Sequence, residues 1–295
     1  MATFNGEAYL KAQLDSLIGQ TYKSWQLIVH DDGSTDHTLA ILSEYQTLDS
    51  RIVVMADAVS GLGATGNFLH LINRAHGALY MFCDQDDIWL ENKVAVMVEA
   101  IKDREGPMLV YANAYFYKDG SVVKQKATLI HPSTLRNFLF FNSGIQGCSI
   151  IMNAQLVDLL RPFPSVLAMH DHLFTLGAIS LGKIFYVDEI LMWYRQHKGN
   201  VSGHQKLGIY ARIASFFKRG KPVMSQYHYK ANRAFYERYF EKLEPRSRSI
   251  FRAYFQYGQS NSRLKRAFII LKYGFSLGNK KGVLFLKTLI RKPMG

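Results

Sequence analysis

The chain has 295 residues, 48% hydrophobic and 13% aromatic, which is ample for a sizeable core in one large domain or two smaller ones. Its two cysteines, Cys83 and Cys148, both lie in apolar strand-like runs, which excludes a disulfide framework and reads as reduced thiols in a cytosolic protein. The net charge of +13 is unevenly placed: residues 206–295 hold 21 Lys or Arg and 3 acids, whereas residues 1–205 hold 15 and 20. The asymmetry predicts a boundary near Gly203–Lys206 and a basic appendage that seeks an anionic surface.

In chain order, Leu10, Leu14, Leu17 and Ile18 recur at helical spacing within 7–18. Trp25–His30 reads as a strand, followed by a helix that Ser34 or Thr35 can cap and that buries Leu39, Leu42 and Tyr45. Arg51–Met55 is strand-like, Asn67–Ala75 helical with Asn67 as its cap, Ala78–Cys83 a strand and Trp89–Lys102 a helix. Such alternation predicts an α/β fold, a mostly parallel sheet with helices on both faces. After Pro107, Met108–Tyr117 and Ser121–Lys124 read as a hairpin around Lys118-Asp119-Gly120. Gly144–Met152 is expected to be a strand, Asp171–Leu181 a helix and Phe185–Tyr194 extended. From Lys206 the pattern is helical, broken near Gly220-Lys221-Pro222, Glu244-Pro245 and Gly278. No run of about eighteen uncharged apolar residues suits a spanning helix, and no signal peptide is visible ahead of Ala2.

Two acidic clusters follow two of the strands: Asp31-Asp32-Gly33-Ser34-Thr35-Asp36 after Trp25–His30, and Asp84-Gln85-Asp86-Asp87 after Ala78–Cys83. Ligands of open α/β sheets bind beyond the carboxyl ends of the strands, so both clusters are expected to face one crevice. Crowded carboxylates repel each other unless a cation sits among them, and oxygen ligands suit Mg²⁺ or Mn²⁺, which in turn suits a diphosphate. Gly61-Leu62-Gly63-Ala64-Thr65-Gly66 spells a dinucleotide fingerprint, with Asp84 where a ribose-binding acid belongs. Against that reading, Ala56–Ser60 separate Gly61 from its strand, and one ribose acid does not explain three.

Ala2-Thr3-Phe4-Asn5-Gly6, Gln20-Thr21-Tyr22, Asp31–Asp36, Asp84-Gln85-Asp86-Asp87, His170-Asp171 and Trp193-Tyr194-Arg195-Gln196-His197, in that order, resemble the bacterial family-two glycosyltransferases of GT-A fold, and their rhamnosyltransferase-like branch in particular. The likeness covers roughly residues 2–203. It implies a GT-A catalytic domain over 1–203 followed by a basic helical region over 204–295. It implies that Ala2, Phe4, Asp31, Asp32, Asp84, Asp86 and Arg195 bind the donor, with Asp32 accepting from the nucleobase imide and Asp31 supporting the turn or the ribose. Asp86, Asp87 and His197 are implied as metal ligands, and Asp171 as the base that takes the acceptor's proton. The family usually places about five apolar residues ahead of Ala2-Thr3-Phe4-Asn5-Gly6, so the first strand is expected to be cut short here or to begin upstream.

The expectation is an inverting, Mg²⁺- or Mn²⁺-dependent glycosyltransferase using dTDP-rhamnose or a UDP-sugar. Its acceptor is a saccharide or lipid-linked saccharide of cell-surface polysaccharide. Its place is the cytoplasm, peripheral on the inner face of the membrane through the basic tail. Nucleic acid is not an expected partner, and a homodimer is left open. Two rivals stand beside this: a dinucleotide-dependent oxidoreductase built on Gly61–Gly66, and a catalytically degenerate nucleotide-sugar binder.

Overall fold

The computed structural model describes residues 1–141, 145–197, 221–278 and 280–295. They fall into two units. The first comprises the described residues of Met1–Leu129, Ile145–Asp158 and Phe185–Val201, and the second those of Ile130–Gly144, Leu159–Ile184 and Ser202–Gly295. The expected boundary at Gly203–Lys206 lies outside the described residues.

In the first unit β1 (Ala2–Thr3), β2 (Leu27–Asp31) and β3 (Ile52–Val54) pair in parallel in that order. The helices α1 (Leu10–Ile18) and α2 (Thr38–Leu48) follow β1 and β2 and bury Leu10, Leu14 and Leu17, and Ile41, Leu42 and Tyr45. The first strand is short, as expected: two residues, with the Met1 amine donating to the Ile28 carbonyl at 2.6 Å. Burial draws that amine down to about 6. Beside it lies an apolar cavity of about 420 Å³ lined by Met1, Leu27, Phe68, Tyr80, Trp89 and Ile151 among others.

The next elements are α3 (Gly63–Arg74), β4 (Leu79–Met81), β5 (Ile88–Trp89), α4 (Lys93–Ile101), β6 (Met108–Lys118), β7 (Ser121–Lys126), α5 (Leu135–Phe138), β8 (Ile150–Asn153), α6 (Ala154–Leu160), α7 (His170–Leu181) and β9 (Lys183–Arg195). A six-stranded sheet runs β4-β8-β6-β9-β5, with β7 on β6. Its β4/β8, β6/β8, β6/β7 and β5/β9 pairs are antiparallel, whereas β1–β3 pair in parallel as expected from the alternation. The β6–β7 hairpin is as expected, turning at Asp119 and Gly120, both at positive φ.

Several local expectations are corrected. Trp89 belongs to β5, not to the following helix, because Ile88 and Trp89 pair with Trp193 and Met192. The helix α2 starts at Thr38 and is capped by the Asp36 carboxylate, which accepts from Thr38 N, rather than by Ser34 or Thr35. Asn67 does not cap α3; it sits inside that helix, bonded to His30. The strand expected over Gly144–Met152 is Ile150–Asn153, entered through a 3₁₀ turn at Gly147–Ser149, and Gly144 lies outside the described residues.

The second unit is mainly helical. Besides α5 and α7 it holds α8 (Gln226–Arg238), α9 (Pro245–Gln259), α10 (Arg263–Tyr273) and α11 (Lys281–Ile290), with β10 (Pro222–Met224) paired in parallel with β11 (Lys292–Met294). Pro245 opens α9 and Gly278 lies between α10 and α11, as the sequence implies, whereas the helical pattern expected from Lys206 to Gly220 lies outside the described residues. The core is aromatic: Phe140 meets Tyr254, Tyr257 and Phe275 edge-on, and Phe235 packs on Tyr239 and Phe251. The buried residues of α7 lie on every side, as in a helix surrounded by core. A Cβ on Gly177 would lie 2.6 Å from Leu160 Cδ1.

That contact predicts that Gly177→Val lowers unfolding stability by about 1–3 kcal/mol through overpacking. In denaturant titrations Leu160→Ala should relieve part of the loss; strictly additive effects would show that the two sites do not meet. A second prediction follows from His170 and His172, which burial holds down to about 3. The unfolded chain binds protons at these sites below about pH 6.5, so their contribution is intact above that pH and is lost as pH falls toward 3. At pH 5 each should cost about 2 kcal/mol relative to pH 7. His172→Phe should flatten the profile; an unchanged slope between pH 7 and 5 would contradict the assignment.

Candidate active site

The first cluster is built by the turn after β2. Asp31 accepts from Thr3 Oγ1 (2.9 Å), Ser34 N (2.7 Å) and Ser34 Oγ (2.6 Å), so it holds the turn and β1 together. Gly33, at φ 93°, is where that turn needs a residue without a Cβ. Asp36 accepts from Thr38 N and Glu7 N and serves as a cap. Asp32 is buried, and its two oxygens accept from Leu62 N and Gly63 N, each at 2.8 Å. It thereby caps α3, and each oxygen keeps a lone pair for one further donor. In a dinucleotide fold those amides at the helix start would take the pyrophosphate. Here a carboxylate already occupies them, which removes the physical basis of the Gly61–Gly66 reading.

The loop 4–6 is pinned from both sides. Asn5 N donates to Ser34 Oγ, and Asn5 Oδ1 accepts from Thr35 N, both at 2.8 Å. The Gln85 amide accepts from Phe4 N and donates to Phe4 O, both at 2.9 Å. Gly6 permits that approach, since a Cβ there would fall 2.3 Å from Gln85 Oε1. The Phe4 ring is left 54% exposed, and Ala2 is paired with His30 within the sheet.

In the second cluster the acids divide. Asp86 Oδ2 lies 2.7 Å from His197 Nε2, and the Arg195 guanidinium donates to Asp86 O. Asp87 points inward, fully buried: Oδ1 accepts from Arg195 N at 3.1 Å, while Oδ2 has no N–H or O–H partner among the described residues. One oxygen each of Asp84 and Asp87 lies with Cys148 Sγ in a group whose atoms are all within 4.8 Å of one another. Burial, and then repulsion from Asp86, raises Asp84 to about 6; burial, then Asp84 and Asp86, pushes Asp87 well above the ordinary carboxylate range. A buried, unbonded carboxylate oxygen among two further acids fits a hard divalent cation held by Asp84, Asp86 and Asp87, with His197 at its edge.

The structure therefore brings Asp84, Asp86, Asp87, Arg195 and His197 together, and ties the loop bearing Phe4 to Gln85 between those acids. Asp171 belongs to the second unit. It lies in the first turn of α7, where Met169 holds the cap position, and its Oδ1 accepts from His172 N.

Three residues that motif reading passed over belong to the site. Lys93, fully buried, donates from Nζ to Cys148 O at 2.6 Å and stands 3.5 Å from the centre of the Trp89 ring. Its signal in the sequence is a lysine sharing a helical stripe with Val94, Met97 and Ile101. Tyr9 packs on His197 (4.6 Å) and under the Arg195 guanidinium (4.7 Å), and Cys148 faces the acids. Neither has a sequence signal of its own.

Comparison with known proteins accords with this geometry. The model of glycosyl transferase family 2 matches residues 1–160. The dTDP-rhamnosyl transferase RfbG of Shigella flexneri is 28% identical over 226 residues, 69% of this chain and 73% of that one. The UDP-Glc:alpha-D-GlcNAc-diphosphoundecaprenol beta-1,3-glucosyltransferase WfgD of Escherichia coli is 29% identical over 164 residues, 55% of this chain and 61% of that one. Among solved structures, S. aureus TarS 1–349 in complex with UDP-GlcNAc aligns with TM-score 0.54 and 18% identity over 92% of this chain and 87% of that one. The fold is GT-A, and the chain belongs to glycosyl transferase family 2.

Proposed function

We propose that this glycosyltransferase is inverting and metal-dependent, and moves rhamnose or a hexose from dTDP-rhamnose or a UDP-sugar to a saccharide or lipid-linked saccharide acceptor in cell-surface polysaccharide synthesis. The observation that carries the reading is the set Asp84, Asp86 and Asp87, three acids at one strand end with a buried oxygen that no N–H or O–H group of the described residues reaches. The names of RfbG and WfgD support the donor and acceptor classes. Asp86, with Asp84 or Asp87 and His197, would hold Mg²⁺ or Mn²⁺, which when bound would supply countercharge to the departing diphosphate.

The chain's own groups then divide the work. Asp32 takes the nucleobase imide on its spare lone pairs, Asp31 holds the turn beneath the ribose, and Ala2 and Phe4 border the base. Arg195, stacked between Tyr9 and Tyr117, offers its guanidinium to the diphosphate. The acceptor oxygen attacks the anomeric carbon on the face opposite the diphosphate. The C–O bond to the diphosphate breaks with its electron pair, and the hydroxyl proton passes to Asp171. A covalent enzyme intermediate is not required, and burial raises the Cys83 thiol to about 12 and the Cys148 thiol well above its ordinary value, so neither thiol serves as nucleophile.

The basic C-terminal region supports a membrane surface as partner. Among the described residues no helix is long and apolar enough to cross a bilayer. Part of the region serves a core, as Ile269, Ile270 and Leu284 are buried. Yet Leu264, Phe268 and Leu271 form one face of α10 and are 81%, 61% and 68% exposed, with Arg263, Lys265 and Lys272 on the same helix. An apolar stripe edged by lysine and arginine suits the interface of an anionic leaflet, where each basic residue contributes on the order of 1 kcal/mol.

Two measurements test these readings. In a thermal-shift panel of nucleotide sugars with and without Mn²⁺, Asp86→Ala should lose the Mn²⁺-dependent donor shift, while Asp171→Asn should keep the shift and lose transfer. A donor shift that survives in Asp86→Ala would reduce the cluster to a turn, and unaltered turnover in Asp171→Asn would remove the base role. For the membrane, the full chain should co-sediment with phosphatidylglycerol vesicles in preference to neutral ones at low salt. Replacing Leu264 and Phe268 by Glu should abolish that preference; equal binding to both lipids would exclude it.

A further inference from the structure

Behind the first acidic cluster lies a second set of polar groups that the proposed reaction does not use. His30, the residue before Asp31, is buried under the loop 57–63 and α3. Its Nδ1 lies 2.8 Å from Asn67 Oδ1, and since Asn67 Nδ2 donates to the His30 carbonyl, that Oδ1 is fixed as an acceptor. Its Nε2 lies 3.1 Å from Asp57 Oδ1 and 3.1 Å from the Val59 carbonyl, both acceptors. A neutral imidazole carries one N–H, which Asn67 claims. The other ring nitrogen then points a lone pair at two oxygens, an arrangement that calls for a cation between them.

His70 completes the set from α3. Its Nε2 is 2.8 Å from Asp57 Oδ2, its ring centre is 4.5 Å from that of His30, and it is accessible from solvent at one edge. One donor atom each from His30, Asp57 and His70 falls within 4.8 Å of the other two. Tetrahedral zinc with bonds of about 2.0–2.2 Å sets its ligands roughly 3.3 Å apart, close to these separations. Two imidazoles and one carboxylate suit Zn²⁺ better than Mg²⁺, in contrast to the all-oxygen acids after β4.

We infer that His30 Nε2, His70 Nε2 and Asp57 form a second metal site, for a zinc-like transition ion, with the Val59 carbonyl or a water as fourth ligand. The ion replaces a proton on His70 Nε2, so Nδ1 must then carry the ring hydrogen. Arg74 Nη1 now donates to that Nδ1 at 2.9 Å and has to withdraw, which its half-exposed side chain permits. Arg74 is therefore a competitor of the ion, in hydrogen bonding and in charge. The site fastens the end of β2 to the loop whose Leu62 and Gly63 amides hold Asp32, so its occupancy stiffens the wall on the nucleobase side. This role rests on the proposed use of Asp32, but the metal site itself does not.

The test is calorimetric titration of Zn²⁺ into the chelator-stripped full chain at pH 7.5 in excess Mg²⁺, which fills the hard carboxylate site. One Zn²⁺ per chain is expected. His70→Gln, at a partly exposed helix position, should weaken it by about 10-fold or more, and Arg74→Ala should strengthen it, with circular dichroism confirming the fold of both. Asp86→Asn should leave it unchanged. Zinc uptake that is lost in Asp86→Asn, or that is the same in His70→Gln as in the parent, places the ion elsewhere and overturns the inference. Absence of uptake by the parent protein overturns it too.

Discussion

Everything around the acidic cluster after β4 is arranged about negative charge that the described residues only partly neutralise. Asp84, Asp86 and Asp87 crowd the end of β4, and Lys93 and the Met1 amine act on them from inside the protein. Burial lowers the Lys93 ammonium to about 8, opposed by the neighbouring thiols and by Asp87 and Asp84. One buried ammonium, fixed by the Cys148 carbonyl and the Trp89 face, balances at most one of three carboxylates. Charges buried in a low-dielectric interior are tolerated only when paired and hydrogen-bonded. The raised carboxyls of Asp84 and Asp87 record the deficit, and a divalent cation is the simplest species that removes it.

The same tension explains why distant segments of the chain meet here. The loop 4–6 is short and carries no charge apart from its neighbours, yet it bonds to Ser34 and Thr35 on one side and to Gln85 on the other. Arg195 and His197 arrive from the far end of β9 and bind the Asp86 and Asp87 backbone and side chains. Sheet pairing does the positioning: β5 pairs with β9, so the acids before β5 and the basic residues after β9 must lie side by side. Tyr9, at the start of α1, fills the space between them with an aromatic face that both Arg195 and His197 use.

In the second unit charge is managed differently. Arg266 is buried and donates to the Arg291 carbonyl, and Lys242 and Arg238 donate to the carbonyls of Leu159 and Pro162. These cations satisfy helix and loop ends rather than acids, which are scarce in this part of the sequence. The aromatic residues Tyr229, Phe235 and Tyr239 are core, while Leu264, Phe268 and Leu271 are exposed.

The sequence alone was enough for α1, α2, α3, α4 and α7 to within a few residues, the β6–β7 hairpin, the two acidic turns and their place after strands, because these depend on local spacing, on glycine at positive φ and on motif order. It also indicated the family, through Asp31–Asp36, Asp84–Asp87 and Trp193–His197 read together. It did not determine the antiparallel pairing of β4, β5, β6 and β8, since a short apolar run looks the same in either direction. Nor did it reveal that Trp89 is strand, that Asp32 rather than Asn67 holds the start of α3, or that Lys93 lies beneath the acids. Each of these rests on contacts between residues tens of positions apart, where tertiary pairing overrides local propensity. The division of labour among Asp84, Asp86 and Asp87 is of the same kind: identical side chains, adjacent in sequence, are separated only by which of them the fold turns inward.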